Sequence, residues 1–186
     1  FDNDDYALKI ADLLKKRSRE VKVRVLLDGL GTIGAASAYS KSMPEAYEPP
    51  PRIIEYLESD SEVHVRMVLN PWLAGDHTKT ILIDNQVAYL GGMNIGREYR
   101  WEWHDLMVEL TGPVVKAIEY EFDKAWAHST LAGDLVYPTF LATTDLETGP
   151  AREGDYGIRI LTTLPRQSEV YRSQLNAIKR AKSHIW

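Results

Sequence analysis

The residues most suited to chemistry are His77 and Lys79, which lie two positions apart. In an extended strand, residues two apart point to the same face, so an imidazole and an ammonium should project together. This pair suits phosphate chemistry, because lysine holds negative oxygens and histidine attacks phosphorus or transfers a proton near neutral pH. Farther along, Gly91 and Gly92 allow the backbone to approach closely, and the Asn94 amide can donate to a phosphate oxygen. Together these residues predict a phosphate-ester site.

A glycine pattern at residues 29–34, G-x-G-x-x-G, suggests a different site. In dinucleotide-binding proteins these glycines open a helix whose N-terminus faces a pyrophosphate. Here Pro44 and the prolines at 49–51 end any such helix early. No acidic residue ends a second strand about 20 residues later, where the ribose contact is expected. We therefore expect a tight turn after a strand, and no nicotinamide or flavin site.

The elements that must position these residues alternate between helix and strand. Asp4 or Asp5 can cap a first helix, and Gly112-Pro113 can open a later one. A turn at Asn85 separates two short strands. The predicted strands cover 21–27, 63–69, 80–84, 86–90, 106–110 and 158–161, a further helix covers 168–181, and a last strand begins at 183. This alternation predicts a mixed α/β fold.

Composition excludes several classes of protein. The chain has 186 residues, a mass of 21.1 kDa and 44% hydrophobic residues, which is typical of a globular domain. It has no cysteine, so a disulfide scaffold, a thiol nucleophile and cysteine-ligated zinc are all excluded. No apolar run approaches the ~18–20 residues that span a bilayer.

Charge is distributed unevenly along the chain. Residues 159–186 contain six arginines and lysines against Glu169 alone, a net charge of +5. Since the whole chain carries −5, the other 158 residues carry −10. Such an acidic body disfavours binding to duplex nucleic acid, which depends on phosphate neutralisation. The basic stretch is expected to be a solvated helix face, with anionic lipid or nucleic acid as the alternative partner.

The spacing His-x-Lys-x4-Asp-x6-Gly-Gly-x-Asn, which runs from His77 to Asn94, resembles the HKD motif of the phospholipase D superfamily. The flanking strings at 23–31, 91–99 and 103–115 are similar to the bacterial cardiolipin synthase-like branch. The resemblance covers residues 1 to about 130. It implies a phospholipase D-like mixed sheet flanked by helices, with one repeat and the start of a second.

The resemblance also implies a role for each matching residue. His77 would be either the nucleophile that forms a phosphohistidine or the acid that protonates the leaving group. Lys79 and Asn94 would bind the phosphate. Asp84 would support the fold of the site, and Asp105 would hydrogen-bond the other nitrogen of the histidine, fixing its tautomer.

Two departures from the family pattern stand out. Gly92 occupies a phosphate-side position where serine is commoner, so a hydroxyl donor is missing there. In addition, the family's active site uses two HKD motifs, and none of the other four histidines begins a second one. We therefore expect residues 1–130 to be a first repeat lacking its first strand, 131–157 a connection, and 158–186 a truncated second repeat. The partner histidine would come from another polypeptide, a missing segment or a homodimer.

The implied function is a phosphodiesterase or phosphatidyltransferase that acts on phospholipids through a phosphohistidine, with no metal or cofactor. The alternatives are a nuclease of the same superfamily, which the acidic body disfavours, and a catalytically inert half-site. The resemblance places the protein in a bacterium, at a membrane or in the cell envelope, with peripheral membrane contact. For Trp72, Trp101 and Trp103, core packing is the first expectation, and a lipid-facing rim is the alternative.

Overall fold

The structure is a computed structural model that describes residues 1–35, 44–50, 52–68, 76–129, 156–164 and 167–185. Helices and short strands alternate along these segments. In chain order they are α1 (Asp5–Ser18), β1 (Arg24–Asp28), α2 (Gly29–Ala35), α3 (Ile53–Glu58), β2 (His64–Val68), β3 (Thr80–Ile83), β4 (Val87–Gly91), α4 (Arg97–Trp101), β5 (Met107–Thr111), α5 (Val114–His128), β6 (Thr163–Leu164), β7 (Gln167–Ser168) and α6 (Glu169–Arg180).

One part of the fold is a parallel pair of strands covered by helices. β1 and β2 pair in parallel, with Arg24 opposite His64 and Asp28 opposite Val68. Helices α1 and α3 pack together beside this pair, because their apolar faces need a shared core. The buried residues of that core are Ala11, Leu27, Ile53, Leu57 and Val63.

A second part is an antiparallel sheet in the order β3-β4-β5. Ile83 pairs with Val87, so the β3–β4 loop has three residues, Asp84–Gln86. Asp84 and Asn85 have φ angles of 52° and 55°, and the Gln86 amide closes the turn by donating to the Ile83 carbonyl at 3.0 Å. Helix α5 packs on this sheet and buries Val115 and Ile118 against Ala88. The sheet therefore has one covered face, and its ends remain available for a site.

Acidic residues at the start of the chain connect the two parts. Asp4 caps α1 by accepting from the Ala7 amide at 2.7 Å, and it also accepts from the backbone amide of Arg97. The Arg97 guanidinium binds both carboxylate oxygens of Asp5 at 2.9 Å. The Asp2 amide donates to the carbonyl of Ile95 at 2.8 Å. These contacts fix the start of α1 against the loop that follows β4.

Most of the predicted elements are confirmed. The expected mixed α/β architecture is present, as a parallel pair and an antiparallel triple rather than one continuous hydrogen-bonded sheet. The cap of α1, the hairpin turn at Asn85, the helix after Gly112-Pro113 and the helix from Ser168 are all in place. The predicted connection lies outside the described residues except for Tyr156 and Gly157.

Two predicted strands are wrong. Residues 158–161 are irregular, because no described strand lies beside them to accept their backbone hydrogen bonds. Instead Ile160 contributes its side chain to the core under α5, and the only pairing nearby is the two-residue ribbon of β6 and β7. Residues 183–185 are likewise unpaired in the part of the chain that is described.

The glycine pattern at 29–34 opens a short helix rather than the expected turn. α2 begins at Gly29 directly after β1. The Gly31 amide donates to Asp28 Oδ2 at 2.5 Å, so a carboxylate of this chain lies at the helix start. A Cβ on Gly31 would lie 2.9 Å from the same oxygen, which explains a small residue there. A dinucleotide pyrophosphate would meet this negative charge, so the pattern does not form such a site.

Candidate active site

The predicted site residues other than Asp84 lie towards one end of the antiparallel sheet. His77 and Lys79 lie just before β3, and the Gly91 amide donates to the Lys79 carbonyl at 3.3 Å. Gly91 also pairs with Met107 on β5. The entry to β3, the end of β4 and the start of β5 are therefore neighbours, and they bring three parts of the motif together.

Lys79 is half-buried at this sheet end. Its Nζ donates to the carbonyl of His77 at 2.9 Å. Burial lowers the pKa of the Lys79 ammonium, and the carboxylates of Asp76, Asp28 and Asp105 act in the opposite direction. Lys79 is therefore a cation among carboxylates. An incoming phosphate needs this positive charge, because the carboxylates would repel it.

His77 is exposed, so its imidazole is accessible to a substrate. The segment that carries it is held by Asp28, at the carboxyl end of β1. Asp28 Oδ1 accepts from the Asp76 amide at 2.9 Å, while its other oxygen binds the start of α2. One carboxylate thus ties the parallel pair of strands to the residue next to His77.

Asp105 and Gly92 are in direct contact. A Cβ on Gly92 would lie 2.2 Å from Asp105 Oδ1, closer than any real Cβ contact, so a side chain there would displace the carboxylate. In this arrangement Asp105 fills the space that a serine side chain at position 92 would need. Asp105 Oδ1 also accepts from the Leu106 amide at 2.7 Å. Among the described residues, Asp105 has no hydrogen bond to His77.

Asn94 is held by a tyrosine. Its Nδ2 donates to the hydroxyl oxygen of Tyr99 at 2.8 Å, and the Tyr99 ring packs against Trp103 with centroids 4.9 Å apart. Burial raises the pKa of Tyr99, and the nearby Asp2 carboxylate raises it further. Tyr99 is therefore a protonated hydroxyl that orients the Asn94 amide at neutral pH.

Asp84 is separated from the other predicted site residues. It lies in the exposed β3–β4 turn, at the opposite end of β3 from Lys79. At about 3.4 Å per residue, the five steps from Lys79 to Asp84 place the two residues about 17 Å apart along the strand. Its position fits the supporting role that was expected, because its positive φ closes the hairpin that carries Lys79 and Gly91.

Sequence reasoning missed Asp28 and Tyr99. Asp28 follows directly on a predicted strand. The carboxyl ends of parallel strands commonly carry ligand-binding residues, so this position was a signal that could have identified it. Tyr99 lies within the flanking string at 91–99, but its contact with Asn94 depends on how α4 folds back, which no local pattern encodes.

An exposed apolar rim surrounds this end of the sheet. Trp101, Trp103 and Leu106 are 62%, 56% and 70% exposed, and Asp105 lies between the last two. For Trp101 and Trp103 the expected core packing is therefore wrong, because α4 is short and no described element covers its outer side. Trp72 lies outside the described residues.

Within the described ranges, no three His, Asp or Glu side chains are arranged to hold a metal ion. In those same ranges no helix has the length and apolarity needed to cross a bilayer.

Comparison with known proteins places most of the chain in one family. Residues 2–126 match the family model described as cardiolipin synthase, PLD-like domain. The cardiolipin synthase of Alkalihalophilus pseudofirmus is 27% identical over 193 residues, covering 99% of this chain and 36% of that protein. The major cardiolipin synthase ClsA of Bacillus subtilis is 27% identical over 194 residues, covering 100% of this chain and 38% of that protein.

A third relative, cardiolipin synthase A of Pseudomonas fluorescens, is 26% identical over 137 residues. That match covers 67% of this chain and 26% of the relative. The chain thus spans about a third of the length of the first two relatives, and less of the third.

Proposed function

Since the chain belongs to the family of cardiolipin synthase PLD-like domains, we propose that it supplies one HKD half of an enzyme that transfers or hydrolyses the phosphodiester of a phospholipid. The observation that carries the proposal is the convergence of the His77–Lys79 segment, Gly91 and the Gly92–Asp105 contact at one sheet end. All of these residues lie inside the span that matches the family.

In the proposed reaction, Lys79 and the Asn94 amide bind the non-bridging phosphate oxygens and offset the charge that develops on them. A histidine nitrogen attacks phosphorus, a P–N bond forms, and the bond from phosphorus to the leaving alcohol breaks. The leaving oxygen takes a proton from the second histidine of the pair. Water or another alcohol then attacks the phosphohistidine and gives its proton back to that second histidine. His77 fits either role.

Several residues prepare the site for this chemistry. Asp28 holds the segment before His77, and Tyr99 orients Asn94. Asp105 lies against Gly92, and we propose that it accepts a hydrogen bond from the His77 imidazole when the substrate is bound. We place Asp84 outside the reaction, as a turn residue that supports the hairpin.

The second histidine must come from outside residues 1–186. It would be supplied by a segment of a longer chain, a second polypeptide or a second copy of this one. We propose that residues 1–130 form one repeat, that 131–157 connect it onward, and that 158–186 begin the next. The family match, which ends at residue 126, supports the first of these boundaries.

The rim of Trp101, Trp103 and Leu106 suits contact with a membrane surface. Tryptophan favours the boundary between lipid headgroups and acyl chains, and Arg100 lies over the Trp101 ring at 5.1 Å with a charge for anionic headgroups. We propose that this rim docks the site on a bacterial membrane as a peripheral contact, in keeping with the bacterial origin of the relatives.

The test is turnover of phosphatidylglycerol and phosphatidylcholine vesicles by the protein together with its second HKD half. His77→Ala should abolish turnover, and His64→Ala is the matched control, because His64 is also exposed but lies on β2. Equal activity of the protein and His77→Ala would refute the assignment. Salt-sensitive DNA cleavage without lipid turnover would favour the nuclease, and no turnover or phosphohistidine in any assay would favour the inert half-site.

A further inference from the structure

A groove lined by arginines lies beside α6, away from the residues of the candidate active site. It has a volume of about 480 Å³. Arg172, Asn176 and Arg180 follow one another at intervals of four residues and so line one side of the helix, with Ser173 next to them. Arg159 contributes from the irregular segment opposite. The groove thus presents three guanidinium groups, a hydroxyl and an amide to one space.

The three arginines have no partners in the described part of the chain. Arg159, Arg172 and Arg180 take part in none of its ion pairs or side-chain hydrogen bonds. Elsewhere, by contrast, Arg24 binds Asp123 at 2.7 Å and Arg97 binds Asp5 at 2.9 Å. The donors in the groove therefore remain available to a ligand.

The one acidic residue in the groove is already engaged. Glu169 Oε2 accepts from the Thr162 amide at 3.1 Å and lies 3.5 Å from the Thr162 hydroxyl. That contact holds the start of α6 to the segment that carries Arg159. The carboxylate thus serves to shape the groove, and it forms no ion pair with Arg172 one turn away.

From this arrangement we propose that the groove binds a phosphate group, either free in solution or in the headgroup of an anionic lipid. Guanidinium groups match phosphate oxygens through paired N–H donors, and hydroxyl and amide donors complete such sites. A volume of about 480 Å³ admits a ligand of headgroup size. The proposal does not depend on the proposed catalytic function.

The opposite side of α6 has a different character. At 100° per residue, Tyr171 and Ile178 lie at least about 100° around the helix from both Arg172 and Arg180, and both are exposed. An apolar side suits packing against protein, whereas the arginine side suits an anion. The two sides therefore allow protein and phosphate to bind the helix at the same time.

The proposal is tested by measuring the binding of phosphate compounds and vesicles, with no measurement of catalysis. The variant is Arg172→Gln/Arg180→Gln, and the charge-matched control is Arg17→Gln/Arg52→Gln, whose arginines sit in exposed ion pairs on other elements. Both are made in a Lys79→Gln background, which weakens phosphate binding at the candidate active site. Calorimetry measures inorganic phosphate and glycerol 3-phosphate, and flotation compares phosphatidylglycerol with phosphatidylcholine vesicles. Thermal unfolding verifies that each variant is folded, and Arg159→Gln repeats the test from outside α6.

The groove variants should weaken binding at least about tenfold relative to the control, with the loss greatest at low salt. Loss of free phosphate binding supports a soluble ligand, whereas loss confined to phosphatidylglycerol vesicles supports a lipid headgroup. Equal binding by the groove variant and the control would overturn the proposal. The proposal would also be overturned if the groove variant bound anions normally but no longer associated with another protein chain. That result would mean that a protein covers the groove.

Discussion

Arginine has different roles in the acidic body, residues 1–158, and in the basic segment at 159–186. In the body, Arg97 and Arg24 are bound to carboxylates and join elements that are distant in sequence. In the basic segment, Arg159, Arg172 and Arg180 make no ion pair with any described residue and face a common groove. An arginine that forms an ion pair with a carboxylate contributes to the fold. An arginine without such a partner can bind a ligand.

The helices differ between the two regions in the same way. Helix α1 buries Ala7 and Ala11 and helix α5 buries Val115 and Ile118, whereas α6 buries no residue despite its clear apolar and basic sides. Packing therefore holds α1 and α5 within the body, whereas Glu169 links the start of α6 to Thr162. Chemistry needs the first arrangement, because reacting groups must be held in place.

The largest expected effect is on catalysis in the body. His77→Ala should lower kcat on phosphatidylglycerol by about 10³-fold or more, because it removes the nucleophile or the acid of the reaction. The measurement is steady-state turnover with the second HKD half present. Arg159→Gln, in the basic segment, should lower kcat far less. A similar fall in both variants would remove the distinction between the two regions.

Gly92→Ser should reduce turnover by about 10- to 100-fold, because the new side chain would displace Asp105. Gly157→Ser is the matched control, since a Cβ there meets nothing within 4 Å. Kinetics and thermal unfolding of both variants check this prediction. Full activity of Gly92→Ser would show that the position of Asp105 is unimportant for the reaction.

Arg97→Gln should lower the free energy of unfolding by about 2 kcal/mol, because it leaves Asp5 without its charged partner in a partly buried site. Arg180→Gln should change it by less than about 0.5 kcal/mol, as expected for an exposed side chain without partners. Urea denaturation of the two variants compares the regions directly. Equal losses would contradict the division between structural and available arginines.

The smallest effect concerns pH. Because burial lowers the pKa of Lys79, its ammonium should lose its proton at a lower pH than an ordinary lysine. KM should therefore rise as the pH increases through that lowered pKa, a few-fold at first and then more steeply. Lys79→Arg keeps its charge at high pH, so its KM should stay level over the same range. Parallel rises in both proteins would assign the effect to another group.

Local patterns predicted the parts of the fold that local forces determine. The cap at Asp4, the turn at Asn85 and the apolar side of α5 follow from spacing and residue type alone. The strand expected at 158–161 failed because a strand needs a partner, and pairing is a property of the whole chain. The expected core packing of Trp101 and Trp103 was wrong for a similar reason, because residue type does not show which element will cover a side chain.

The candidate site was predictable only in part. The spacing from His77 to Asn94 predicts which groups react, and the pairing of β3, β4 and β5 brings the segments that carry several of them together. The contact between Asp105 and Gly92 could not be predicted, because it depends on the path of the chain after α4. Asp28 was missed because its partner, the Asp76 amide, is 48 residues away.

The most direct test asks whether the sheet end that carries His77 binds phosphate. Histidine ring signals can be followed by NMR as inorganic phosphate is added, with His64 as an exposed reference on β2. The His77 signal should shift and saturate, the His64 signal should not move, and Lys79→Gln should weaken the His77 response. An unmoved His77 signal, or equal shifts at both histidines, would contradict a phosphate site at this end of the sheet.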